Sequence, residues 1–293
     1  MFKASPIKVR RVRFEYPDDI KALWNPPKPE LSQMVNAASL LMPYLEPYLV
    51  NSVRAAIPQL PTDEHKQEAK GYIGQEANHH RQHRRFNDLL LAQGYAAVRE
   101  NEQKMQSDYQ AFKEQRDQRF HLAYAAGFET MALAIGHMLF KHRGWFFKDA
   151  DPAVSALVLW HFVEELEHKN SAFVVYQSMY GQGVRGYLYR VYATLYCVFQ
   201  AVGRTAQAYL HLRRIDRAQG KPMSRWRGKL AALKILCWSA PTLLHGLLPW
   251  HKPADFKDPE WVSKWIELYD SQGDELALLD TAKIDHPHPV PAT

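Results

Sequence analysis

Cysteine is almost missing from this chain. The two present, Cys197 and Cys237, each sit in an apolar stretch and neither has a Cys-x-x-Cys spacing. That excludes a disulfide framework and a thiolate metal site and makes a reducing compartment the expectation. Long hydrophobic runs are missing too. The apolar stretches at 191–202 and 235–248 are bounded or broken by Arg204, Lys234 and Pro241, short of the roughly 18 residues a membrane span needs. The basic start MFKASPIKVRRVRFEYP is followed by no apolar run of signal-peptide length, so a cytoplasmic chain is expected. There is no dense basic patch interleaved with aromatics, which argues against nucleic acid as a partner. No nucleotide or flavin fingerprint occurs, and no alternating apolar–polar run is long enough for a buried sheet.

What is present is enough apolar material for a full core: 46% hydrophobic residues and 23% charged ones in 293, with a formal charge of +6. The 18 prolines gather at Pro26, Pro27 and Pro29, at Pro249, Pro253 and Pro259, and in a tail with Pro287, Pro289 and Pro291. Between them the periodicity predicts helices at 31–56, 62–93, 101–115, 117–143, 152–180, 184–219, 223–248 and 259–270. Thr62 and Asp63 supply a helix start, Gly94 follows a helix end, and Asp151-Pro152 places proline in a first turn. The expectation is an all-α chain.

Two helical segments carry the chemistry. In QEANHHRQHRRFN, Glu76, His79, His80 and His83 fall within about 100° of arc, on the stripe that also bears Ala69, Tyr72, Ile73, Phe86 and Leu90. In WHFVEELEHKNSAFVVY, Glu165 faces with His161 and His168, on a stripe continued by Val158, Ala172, Val175, Tyr176 and Met179. Glu164 lies about 100° away, and Glu167, further round, is expected to meet solvent. Roughly 0.8 Glu-x-x-His matches are expected by chance in this composition, so two alone decide little. Their weight comes from sitting on apolar faces, each after a helix with one isolated inward glutamate, Glu46 and Glu129. Buried carboxylates without partners are costly, and a bound cation makes several of them favourable together. Pro43 and Pro47 bracket Glu46, so the direction of that side chain is the least constrained.

The order Glu, Glu-x-x-His, Glu, Glu-x-x-His on successive helices resembles the ferritin-like di-iron carboxylate superfamily. The longer matches QEANHHRQHRRFN and WHFVEELEHK are similar to the family of predicted metal-dependent hydrolases, over about residues 8–270. The resemblance implies a ferritin-like four-helix bundle core with additional C-terminal helices. It implies one domain, 1–293, with a metal-binding core at 31–180, covering helices at 184–270, an extended arm at 1–30 and a proline-rich tail at 281–293. It further implies Glu46, Glu76, His79, Glu129, Glu165 and His168 as metal ligands, with Glu76 and Glu165 in the catalytic role. His161 resembles the extra histidine of di-iron N-oxygenases, and His83 is a supporting residue or extra ligand.

Four carboxylates balance two ferrous ions, so the expected cofactor is a pair of irons, with zinc or manganese as alternatives. The expected activity is a di-iron monooxygenase oxidising a small apolar organic substrate with O2, fed by a separate ferredoxin or reductase. A metal-dependent hydrolase on the same dinuclear site and a non-catalytic metal-binding bundle are the alternatives. The aromatic run Trp145, Phe146 and Phe147 is expected to pack rather than line a pocket mouth. For the apolar helices at 184–219 and 223–248, core packing is the plainest reading, beside a tunnel roof, pairing into a homodimer or contact with a membrane surface. No role is expected for His245, His251 and Lys252.

Overall fold

The computed structural model describes residues 7–10, 12, 14, 16, 17, 19–221 and 223–272, so the expected tail at 281–293 lies outside the described residues. Among the described residues there are eleven α-helices and no strand, an all-α helical bundle. In chain order they are α1 (Pro29–Ser39), α2 (Met42–Ala56), α3 (Asp63–Leu90), α4 (Arg99–Gln115), α5 (Gln118–Lys141), α6 (Arg143–Phe147), α7 (Pro152–Glu167), α8 (Ser171–Met179), α9 (Gly183–Ala218), α10 (Arg225–Gly246) and α11 (Glu260–Gln272).

The expected starts are there. The Thr62 side chain accepts from the His65 amide, and Asp151 accepts from the amides of Ala153 and Val154 ahead of α7. Gly94, at φ 94°, ends the irregular turn after α3, a left-handed position that favours glycine.

Three boundaries differ from expectation. The helix expected at 31–56 is two, because Pro43 lacks an N–H and its ring clashes with the carbonyl four residues back; α1 stops at Ser39 and Pro43 opens α2. The helix expected at 152–180 also divides. His168 leaves helical geometry at φ −100°, ψ 9°, and α8 begins after Asn170, a poor helix-interior residue. The RGWFF run forms its own short helix, α6, with Phe146 and Phe147 buried, so it packs as expected.

Helix α5 is central and touches α2, α7, α8, α9 and α10. It is the one helix among the described residues long and apolar enough to cross a membrane, but 89% of that stretch is buried inside the bundle, as suits a core helix. The core has two apolar parts. On α3, Tyr72 belongs to one and Phe86 to the other; on α5, Phe128 and Leu133 divide in the same way. Glu76, His79 and Glu129 lie at that changeover.

The arm before α1 lies along α3. Gln75, Asn78 and Gln82 donate side-chain hydrogen bonds to the carbonyls of Lys8, Arg10 and Val12, so one helix face holds alternate arm residues. Gly71 and Gly74 make room for it: a Cβ there would stand 2.6 Å from Ile7 Cβ and 2.5 Å from Val9 Cγ2.

Candidate metal centre

Four helices deliver the polar groups inward: Glu46 from α2, Glu76, His79 and His83 from α3, Glu129 from α5, and His161 and Glu165 from α7, with His168 just past its end. All are buried; Glu46, despite its flanking prolines, is fully so. Residual solvent contact is confined to His161 and His83, at 5% and 6%, which marks the edge of the cluster nearest water.

Two groups here could each hold a metal ion, Glu76 with Glu129, Glu165 and His168, and Glu46 with Glu76 and His79. A third, His79 with His161 and Glu165, overlaps both, and Glu46 also meets His83 and His161. Glu76 and Glu165 therefore each belong to more than one group. Both carboxylate oxygens of Glu46 and Glu76, Glu129 Oε2 and His79 Nδ1 are buried with no hydrogen-bond partner. Orphaned acceptors of this kind are costly. A cation satisfies them together, so the donor set fits a metal.

The supports are crossed. His168 Nδ1 donates to Gln75 Oε1 on α3 at 2.9 Å, leaving Nε2 to face Glu76, Glu129 and Glu165 at 3.2–3.4 Å. His79 Nε2 donates to Glu164 Oε2 on α7 at 3.1 Å, leaving Nδ1 toward Glu76 and Glu165. The residue just before each motif glutamate thus orients the histidine of the other motif. Arg10 from the arm completes the network with a fork on Glu167, at 2.5 and 3.0 Å, and approaches Glu164 at 3.6 Å. Gln75 Nε2 donates to Glu167 at 2.6 Å. Glu167 was expected in solvent; it is only 20% exposed, because Arg10 and Gln75 draw it in.

At the His161 edge a chain of hydrogen bonds assigns each tautomer. Asn87 Nδ2 donates to the Ser39 carbonyl, so Asn87 Oδ1 accepts from Ser39 Oγ. Ser39 Oγ then accepts from His83 Nδ1 at 2.8 Å, and His83 Nε2 accepts from His161 Nδ1 at 2.6 Å. The free lone pair of His161 Nε2 faces Glu165, 2.9 Å away, and Glu46, 3.9 Å away. His80, by contrast, is half-buried and bonds the Glu76 carbonyl of its own helix.

Burial, then the neighbouring carboxylates, pushes Glu46 and Glu76 upward, and burial and the Glu165 charge bring Glu129 to about 8. Burial also opposes charge on Glu165, but His168 together with hydrogen bonds from His161, His168 and His79 holds it well below the usual range. For His168 and His79 burial is outweighed by the carboxylates, and both rise. Burial and the charge of His79 bring His161 down to about 4, and burial with His161 lowers His83. Without metal, the cluster thus stores protons on the groups a cation would claim.

The periodicity of α3 and α7 pointed to Glu76, His79, Glu165, His161 and His168, and the fold brings them together with Glu46, Glu129 and His83. Glu164, Gln75, Arg10 and Tyr72, which donates to Glu129 at 2.9 Å, were not foreseen. For Gln75 and Glu164 the adjacency to each motif glutamate was a usable signal; for Arg10 there was none. A surface cavity of about 670 Å³ between α5, α10 and α11 is lined by none of the cluster residues.

A helical bundle that buries carboxylates and imidazoles in overlapping groups of metal-ligating geometry defines a metal-dependent protein. The chain belongs to the family of predicted metal-dependent hydrolases, whose model matches residues 8–259. No curated protein and no solved structure matches it.

Proposed function

We propose that the protein is a metal-dependent hydrolase working through a dinuclear centre, with Glu46, Glu76, His79, Glu129, Glu165, His161 and His168 as the ligand set. The observation that carries this reading is the membership of Glu76 and Glu165 in more than one metal-sized group, which makes them bridging carboxylates between two ions. The family match supports hydrolysis as the reaction class. Two bound divalent ions supply Lewis-acid polarisation of the scissile group.

The chain's own residues do the rest. Gln75 and Glu164 fix the ring orientation of His168 and His79, and Arg10 holds Glu164 and Glu167 in place. Tyr72 restrains Glu129. His161 is neutral near pH 7 and lies at the edge closest to water, so its Nε2 can take a proton if it is not bound to metal. Loading with zinc or manganese under argon, followed by assays on chromogenic esters, anilides and phosphodiesters, should show turnover that a chelator removes. Glu76→Ala and Glu165→Ala should lose both turnover and metal.

A second reading is favoured by the donor set itself. Four carboxylates with imidazoles, in the order Glu, Glu-x-x-His, Glu, Glu-x-x-His along α2, α3, α5 and α7, form the pattern of ferritin-like di-iron proteins, and their charge balances two ferrous ions. Its activity would be oxidation of a small apolar substrate with O2 and electrons from a separate donor. Dioxygen uptake by the ferrous-loaded protein, with no hydrolysis by the zinc or manganese form, would select this reading and reject the first.

A further inference from the structure

Apart from Val9, every large hydrophobic side chain exposed among the described residues lies on α9, on α10 or just after them. The expectation of core packing fails for their outer faces. On α9, Leu188, Tyr192, Leu195, Phe199 and Val202 follow one another at alternating steps of four and three, one stripe along the helix; Phe199 is 75% exposed. On α10, Trp226, Leu230, Leu233 and Leu244 form a matching stripe, with Trp226 74% exposed.

The stripes lie side by side. Arg190 donates to the carbonyls of Gly246 and Leu248, while the Tyr209 hydroxyl stands where a Cβ on Gly228 would go, so the helices run antiparallel on α5 in a constant register. An apolar surface of this extent needs a cover.

Charge decides what covers it. Residues 183–246 carry eleven Lys and Arg against one acid, Asp216, which is fully buried. With +6 for the whole chain, the remainder is net negative. Arg213 and Arg217 extend the α9 stripe at its C-terminal end, and Arg225 and Lys229 flank the α10 stripe. A second copy docked here would bring basic residues against basic residues. An anionic bilayer surface is complementary: apolar side chains enter the acyl boundary, and the long basic side chains remain among the phosphates.

We propose that the α9–α10 pair is a membrane-surface contact that seats the protein on anionic lipid without spanning it. Neither metal nor the hydrolase reading is needed for this. The test is flotation of the full chain with vesicles of phosphatidylglycerol and phosphatidylcholine in equal parts, against phosphatidylcholine alone. Binding to the anionic vesicles should exceed binding to the neutral ones at least about tenfold and weaken with salt. Arg225→Gln with Lys229→Gln should reduce it by about fivefold per residue. Phe199→Ser with Leu233→Ser should abolish it while leaving the melting temperature and metal content unchanged. Equal partition to both vesicle types, partition to neither, or a chain dimer that Phe199→Ser with Leu233→Ser dissolves would overturn the proposal.

Discussion

Arg10 is the residue on which several buried charges depend at once. Its guanidinium, 1% exposed, forks Glu167 and approaches Glu164, whose other oxygen holds His79. Arg10→Leu removes the cation and leaves the carboxylates facing each other; an uncompensated buried charge of this kind costs about 3–5 kcal/mol. Urea unfolding of the metal-free variant should show that loss, and an unchanged midpoint would mean that the arm contributes nothing to the cluster's shape. A milder change acts on orientation: Glu164→Gln can still accept from His79 Nε2 through its amide oxygen but loses the negative charge behind the imidazole. It should weaken metal affinity by about tenfold or more without changing the metal count at saturation, as titration with a fluorescent competitor would measure. The ligand candidates were legible because imidazole and carboxylate on an apolar stripe are anomalous. Glu164 was not, since at about 100° from the stripe it points between α3 and α7, and only the packing of α3 against α7 turns that flank into interior. Arg10 lies in an arm with no helical period, so nothing local announced its burial.

At the scale of elements, α7 stands on a cap. Asp151 accepts from two orphan amides and Pro152 presets the first turn. Asp151→Ala should cost about 1 kcal/mol, readable as a lower melting temperature in the metal-free protein and largely masked once metal ties Glu165 to the other helices. Small residues govern how close α5 comes to its neighbours. A Cβ on Gly127 would stand 2.7 Å from the Thr194 Cα, a backbone atom that cannot rotate away, so Gly127→Ala must push α9 off α5. Overpacking of that kind costs about 1–3 kcal/mol, and a variant as stable as the parent would contradict the observed helix spacing. Helix existence was legible from period and punctuation, as Thr62, Gly94 and Asp151-Pro152 illustrate. The break at Leu40–Leu41 was foreseeable from Pro43, whereas the one at His168 was not, because its sequence continues an apolar helical stripe and the turn is made where His168 meets Gln75 on another helix.

For the whole molecule, the cluster ties stability to pH, with opposite signs in the metal-free and metal-loaded forms. Glu129, brought to about 8 by burial and by Glu165, keeps in the fold a proton that the unfolded chain releases near 4.5. Across that window the unfolded state binds fewer protons than the fold, so stability falls as pH rises. Glu46 and Glu76, also raised, act in the same direction. His168 adds to it: its folded value is raised, so its contribution is complete below the unfolded value of 6.5 and fades as pH climbs through the folded one. Glu165 has the reverse sign, contributing above 4.5 and losing that contribution as pH falls through its lowered value, so it matters on the acid side. Metal requires the carboxylates ionised and His79 Nδ1 and His168 Nε2 free, and therefore displaces the stored protons. The gap in melting temperature between loaded and metal-free protein should widen from about pH 5.5 to about pH 8, and metal uptake should release protons, measurable by calorimetry in buffers of different ionisation enthalpy. A gap that stays constant over this range, with no proton release, would mean that the metal binds somewhere other than at these buried groups.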